Sequence, residues 1–281
     1  MADSRTRTLH VWGPTMAIDV AAVRLGLGGF FGLLDAEMRR WLGRRGLFHL
    51  ILWVVGINGY VYYVVATPNM PFGSLGYENL LNALMLFPIF AGIILAEATV
   101  VGEYRTGIAS WLISKPVTRG GYVAARLTGL WIGLSVVAIL IPGLVANWWL
   151  PNVKPYRFVI PDAPVFGRFL VALGATMIVL GFFIALTGFL GVLIRRRGPV
   201  ALIAMVLWLV LRFAPPQIRS SWYPYLPTGL MKADLDINGW IPGMEYIHGN
   251  PFDPVSAVWA TAAAAVVLVA GAMLLYRRLE L

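Results

Sequence analysis

Six apolar runs, at 47–66, 80–98, 122–150, 169–194, 199–214 and 254–276, leave this 281-residue chain little else to fold with. A helix needs about 20 apolar residues to cross a hydrocarbon core about 30 Å thick, and most of these runs reach that length. The fifth is the exception. It holds 16 residues, so it must be short, bent, or extended by Arg212 snorkelling to the interface. In hydrocarbon every backbone N–H and C=O has to find its partner inside the structure, and a helix does this within one segment. The expected fold is therefore an all-α polytopic membrane protein with six transmembrane helices, forming one transmembrane domain over 1–281. Charged residues make up 12% of the chain, against about 25% in soluble domains, which agrees with that class.

The net charge of +9 would suggest nucleic acid in a soluble protein, but here the arginines flank apolar runs, so no nucleic-acid partner is expected. Six spans sort the 22 Lys and Arg residues into 16 on one side and 6 on the other. The richer side holds Arg39, Arg40, Arg44, Arg45, Arg105, Lys115, Arg119, Arg126, the triplet Arg195, Arg196 and Arg197, and the Arg277–Arg278 pair. Cytoplasmic loops carry such an excess, which predicts that both termini are cytoplasmic.

Residues 1–46 form the expected cytoplasmic N-terminal region. The glycine-rich run at 25–34 is too short to span a bilayer, and charge follows it rather than a small-residue cleavage site, so it does not read as a secretory signal. Over 34–45, Leu34, Met38, Trp41 and Leu42 fall near one face, and Arg39, Arg40, Arg44 and Arg45 can reach phosphates. That pattern predicts an amphipathic interfacial helix on membrane lipid. A basic flank orienting the next span accounts for the same residues. On the opposite side, the long loop 215–253 carries Trp222, Tyr223, Tyr225, Trp240 and Tyr246, as an aromatic belt against the bilayer surface does.

The chain offers little material for chemistry. It has no cysteine, and His10, His49 and His248 lie far apart in sequence, so no metal, cofactor or catalytic set is expected. The phosphate-cradling pattern G-x-x-x-x-G-K-[ST] is absent, and no Gly-Lys pair exists. Glycines 26, 28, 29 and 32 fail the dinucleotide spacing, and Gly28-x-x-x-Gly32 reads instead as small residues for close packing. Asp234 and Asp236 in the external loop read as two solvated acids, with a lipid-linked enzyme as a weaker alternative. No carboxylate lies near the middle of a span, where an ion-coupled carrier needs one. Asn58, Asn82, Thr128, Ser135 and Thr187 are candidate polar contacts along a substrate path, and ordinary helix packing fits them equally.

Between the second and third runs lies a polar island, G-E-Y-R-T-G-I-A-S-W-L-I-S-K-P-V-T-R-G-G-Y, at 102–122. Tyr104, Ile108, Trp111 and Leu112 share a face, predicting a short amphipathic helix over 103–113. Pro116 ends it, and Gly120 and Gly121 allow a sharp return into the next span.

The residues Glu103-Tyr-Arg-Thr-Gly107, then Leu112-Ile-Ser-Lys-Pro-Val-Thr-Arg119, then Tyr122, resemble the cytoplasmic segment of type-2 ATP-binding-cassette permeases, the ABC-2 family. Thr106 stands before Gly107 where Gly-Thr is more usual. The Tyr225-Leu-Pro-Thr228 run after the fifth span is similar as well. The resemblance implies the membrane permease of an exporter in the plasma (inner) membrane of a prokaryote. It further implies a second permease copy, identical or paralogous, and a separate ATPase subunit that binds the ATP and magnesium. The family's coupling helix falls here, so the resemblance assigns ATPase coupling to Glu103, Arg105, Thr106, Gly107, Trp111, Pro116 and Arg119. A structural or assembly subunit of a larger membrane complex is the alternative of another class.

Overall fold

The computed structural model describes residues 29–67, 76–102, 117–152, 165–213, 225, 227–231, 242–247, 249, 251–252 and 255–277. They are helical almost throughout, with no strand among the described residues. In chain order the helices are α1 (Phe30–Leu42), α2 (Arg44–Ala66), α3 (Gly76–Glu97), α4 (Arg119–Leu134), α5 (Ile141–Trp149), α6 (Phe166–Ile194), α7 (Pro199–Phe213), α8 (Thr228–Met231), α9 (Pro242–Ile247) and α10 (Val255–Arg277). A π-helical turn, Ala98–Gly102, prolongs α3, and a second, Ser135–Leu140, joins α4 to α5. Pro142 has no N–H to give the preceding turn, and the widened π turn sits where that hydrogen bond is lost.

Five continuous helical stretches are long and apolar enough to cross a membrane: Arg44–Ala66, Gly76–Gly102, Arg119–Asn152, Phe166–Ile194 and Val255–Tyr276. The sixth apolar helix, Pro199–Phe213, has 15 residues, about 22 Å of rise.

The bundle is organised on α6, which packs against α3, α4, α7, α9 and α10. Glycines let its neighbours approach. Leu127 of α4 lies over Gly188 and Trp131 of α4 over Gly181, where its indole N–H also donates to the Met177 carbonyl at 2.8 Å. Leu180 and Ile184 of α6 lie over Gly92 of α3, and Phe189 of α6 lies against Gly271 of α10. Those contacts make α3, α6 and α10 parallel to one another and antiparallel to α4. Tyr122 at the start of α4 and Tyr276 at the end of α10 stack with ring centroids 6.3 Å apart, which fixes one end of the bundle. Arg119 and Arg195–Arg197 gather there, and it is termed the basic end.

α7 runs antiparallel to α3. At its start, the Gly198 N–H donates to Glu97 Oε1 at 2.5 Å. At its end, Arg212 donates to Asn82 Oδ1 at 2.5 Å. The 15 residues of α3 that separate these partners match the length of α7, so this short helix carries the chain from the basic end to the opposite one.

Arg212 does not snorkel outward as its place at the end of a short apolar run predicts. It is 9% exposed, turned into the bundle, and donates also to the Met231 carbonyl of α8. Much of the described part of the 215–253 loop likewise packs on protein, although Tyr225 is 58% exposed. Leu230, Met231 and Ile247 are buried, Gly243 sits against Ala172 and Leu81, and the Arg168 guanidinium lies 5.4 Å from the Tyr246 ring centroid. Trp222, Tyr223 and Trp240 lie outside the described residues.

α1 lies lengthwise along α4 and parallel to it. Gly29 meets Val117, Glu37 crosses Gly129, and Trp41 covers Gly133. The two glycines are four residues apart, hence on one helix face, as are Glu37 and Trp41. The helix ends earlier than the 34–45 expectation, because Gly43 is extended (φ −80°, ψ −177°) and separates α1 from α2. Leu34, Met38 and Trp41 are half-buried, whereas Leu42 is 86% exposed, beyond the seam. The α1–α2 corner is tight enough that the Trp41 carbonyl occupies the place of a Cβ on Gly46. Gly32, expected to allow close helix or lipid packing, meets no other helix among the described residues.

Gly133→Leu must expel the Trp41 indole. Overpacking of this kind costs roughly 1–3 kcal/mol. Hydrogen exchange across 30–42 is expected to accelerate while exchange within α6 stays unchanged.

Candidate functional site

Of the residues expected to meet an ATPase, Glu103, Arg105, Thr106, Gly107, Trp111 and Pro116 lie outside the described residues. Arg119 is the first residue of α4. Thr118 caps that helix, its Oγ1 accepting the Gly121 N–H at 3.1 Å with an extended backbone (ψ 146°), as an N-cap requires. Gly120 and Gly121 are thus buried inside the first helical turn rather than in a turn ahead of it.

The surroundings of the segment are well defined. It leaves α3 at the π turn ending in Gly102 and returns at Val117, both at the basic end. Beside its departure point stands the α6–α7 turn. Arg195 closes α6 in the left-handed region (φ 54°), donating its N–H to the Gly191 carbonyl at 3.0 Å; Gly198 is left-handed too (φ 84°), and Pro199 opens α7. The Arg197 guanidinium lies over Gly102, where a Cβ would collide with it. Beside the return point stands α1, with Gly29 on Val117.

The main electrostatic contact of this region is the ion pair of Glu37 with Arg126. Their side chains are 13% and 14% exposed. Arg40 stands 3.9 Å from the second Glu37 oxygen, and the Arg126 guanidinium lies 5.6 Å from the Tyr122 ring centroid. The pair bridges α1 to the first turns of α4. By contrast, the Arg39–Asp35 pair at 2.9 Å is solvent-facing within α1 and contributes little.

The candidate path residues do not converge. Asn58 is consumed by packing: its Nδ2 donates to the Val54 carbonyl at 2.8 Å and the Pro142 carbonyl at 3.3 Å, and its Oδ1 accepts the Trp149 indole N–H at 2.6 Å. Asn82 holds Arg212. Thr187 returns its hydroxyl to the Phe183 carbonyl at 2.7 Å. Ser135 is buried at the first residue of the second π turn, its hydroxyl with no hydrogen-bond partner among the described residues. Thr128 borders a cleft of about 350 Å³ between α4, α6 and α10 whose lining is otherwise apolar, including Trp131, Ala185, Ala265 and Met273.

Sequence reading missed the Glu37–Arg126 pair and the Gly129/Gly133 seam. The signals were present as a Gly-x-x-x-Gly in the third run and a Glu four residues before a Trp in the basic flank, yet neither names its partner. Removing one member of a fully buried pair costs roughly 3–5 kcal/mol, an upper bound for this partly buried one, whereas replacing both by apolar residues is close to neutral. Glu37→Leu is therefore expected to destabilise the α1–α4 seam, and Glu37→Leu with Arg126→Leu to restore most of the loss, as measured by thermal unfolding in detergent.

Residues 67–278 match the sequence profile of the family described as ABC-2 family transporter protein. No curated protein matches the chain. The matched region covers α3 to α10, including both ends of the 103–116 segment, and agrees with five long apolar helices that make this a multi-pass membrane protein. The chain therefore belongs to the ABC-2 family of transporter proteins and is a membrane permease of an ATP-binding-cassette transporter.

Proposed function

We propose that this chain is the permease subunit of an exporter driven by a separate ATPase, and that the 103–119 segment is where the ATPase acts on it. The observation that carries the reading is the family match, joined to the position of that segment between the ends of α3 and α4 at the basic end of the bundle. A partner seated there pushes on two spans at once. Glu103, Arg105 and Arg119 set its docking orientation, and Trp111 supplies an apolar anchor.

The remaining assignments follow from this one. α7 is a short sixth span, since it runs between the two ends of the bundle. Both termini then share the basic end, which faces the cytoplasm by its arginine content. α1 stands alongside α4 rather than flat on the membrane, and Arg39, Arg40, Arg44 and Arg45, around the α1–α2 corner, reach lipid headgroups as the basic flank of α2. A second permease copy completes the pathway; α2 and α10 keep most of their apolar surface outward and offer faces for it. ATP and magnesium belong to the ATPase subunit. The setting is the inner membrane of a prokaryote.

Co-expression with a candidate ATP-binding-cassette ATPase from the same genome tests the assignment. The complex is expected to co-purify and hydrolyse ATP. Glu103→Ala with Arg105→Ala is expected to weaken association by at least about 30-fold, the size of a hot-spot loss of about 2 kcal/mol, while membrane insertion persists. Unchanged assembly and unchanged ATP-coupled transport in that variant refute the coupling role.

A further inference from the structure

We infer that Glu97 is a positioning residue that fastens the α6–α7 turn to the root of the 103–116 segment, so that a push on this segment moves α7 together with α3. The inference rests on the coupling reading above and extends it to a helix remote from that segment in sequence.

Three contacts at the basic end carry it. The Glu97 carboxylate ends α3 and accepts the Gly198 N–H at 2.5 Å. This donor belongs to the first turn of α7, where a helix has backbone N–H groups with no partner of its own, and a carboxylate there also meets the positive end of the helix dipole. One turn further along the chain, the Arg197 guanidinium covers Gly102, the last described residue before the segment. From the α6 side, a Cβ added at Gly191 would come within 3.2 Å of Val100 and Val101, so the π turn and the end of α6 are in direct contact. The turn between has two residues in the left-handed region, Arg195 and Gly198, one of them not glycine. That geometry leaves the turn few alternative shapes, and it transmits displacement rather than absorbing it.

At the far end of α7, Arg212 holds Asn82 of α3 and the Met231 carbonyl of α8. α7 is thus tied to α3 at both ends, by Glu97 at one and Asn82 at the other. A displacement entering at Gly102 passes through Glu97 into α7 and reaches the outer loop through Arg212.

The chain contains no cysteine, so introduced cysteine pairs can be spin-labelled without background. Ile94 of α3, Ile203 of α7 and Val267 of α10 are exposed and suit labels. In the full complex with its ATPase, nucleotide is expected to shift the I203C/V267C distance and to leave the I94C/I203C distance narrow and unchanged. Glu97→Ala is expected to broaden I94C/I203C and abolish the nucleotide response of I203C/V267C. Glu97→Gln, whose amide oxygen still accepts the Gly198 N–H, is expected to behave as the parent. Hydrogen exchange at Gly198 in Glu97→Ala should rise roughly ten-fold, the size of one lost hydrogen bond. Should Glu97→Ala fail to assemble, Arg197→Ala at an exposed side chain is expected to broaden I94C/I203C in the assembled complex. Unchanged distances in whichever of these two variants assembles overturn the inference. If the parent itself shows no nucleotide response at either pair, the coupling reading falls, and this inference falls with it.

Discussion

Hydrocarbon gives apolar helices no reason to leave it for one another, so a bundle in a membrane is held by close approach and by buried polar contacts. Close approach is what the glycines of this chain provide. Gly181 and Gly188 admit Trp131 and Leu127, Gly92 admits Leu180, and Gly133 admits Trp41. Everything else in the described structure depends on those seams. They set α4 antiparallel to α6, bring α10 alongside both, and lay α1 on α4. The 103–116 segment inherits its position from them, because its two ends are the ends of α3 and α4.

Polar groups act as ties between the packed helices. Asn58 joins α2 to α5 through Pro142 and Trp149, Tyr77 of α3 donates its hydroxyl to Asn147 Oδ1 of α5 at 3.1 Å, and Arg212 joins α7 to α3 and α8. The buried threonines Thr176 and Thr187 bond the carbonyl four residues before them in α6, the usual way a hydroxyl is satisfied inside an apolar helix. Asn58 and Asn82 of the first two spans are thus accounted for by assembly. The cleft between α4, α6 and α10 is nearly all apolar. The Glu37–Arg126 pair belongs with the ties, at the basic end where a soluble partner is proposed to act.

The long apolar runs were legible from residues alone, because about 20 uncharged residues in succession admit few structures. The polar island at 102–122 was legible as an interruption, and family resemblance attached a role to it. What could not be read was pairing. Nothing in 34–45 says that Glu37 meets Arg126 rather than solvent, since the two stand 89 residues apart and each fits a basic flank equally well. Arg212 is the clearest instance: an arginine ending a short apolar run reads as snorkelling, and only the fold shows Asn82 and Met231 waiting inside. Gly120 and Gly121 show the reverse error, a turn pattern overridden by a Thr118 cap that starts the helix three residues sooner.

The central claim is that a partner ATPase contacts the chain at the segment joining α3 to α4. With no native cysteine in the chain, single cysteines placed at 105 and 111 and carrying a photoreactive label address it most directly. In the assembled complex, both positions are expected to cross-link to the ATPase, with yields that change on nucleotide binding, and a label at 240 in the opposite loop is expected to give none. A stable complex that cross-links from 240 but not from 105 or 111 contradicts the account.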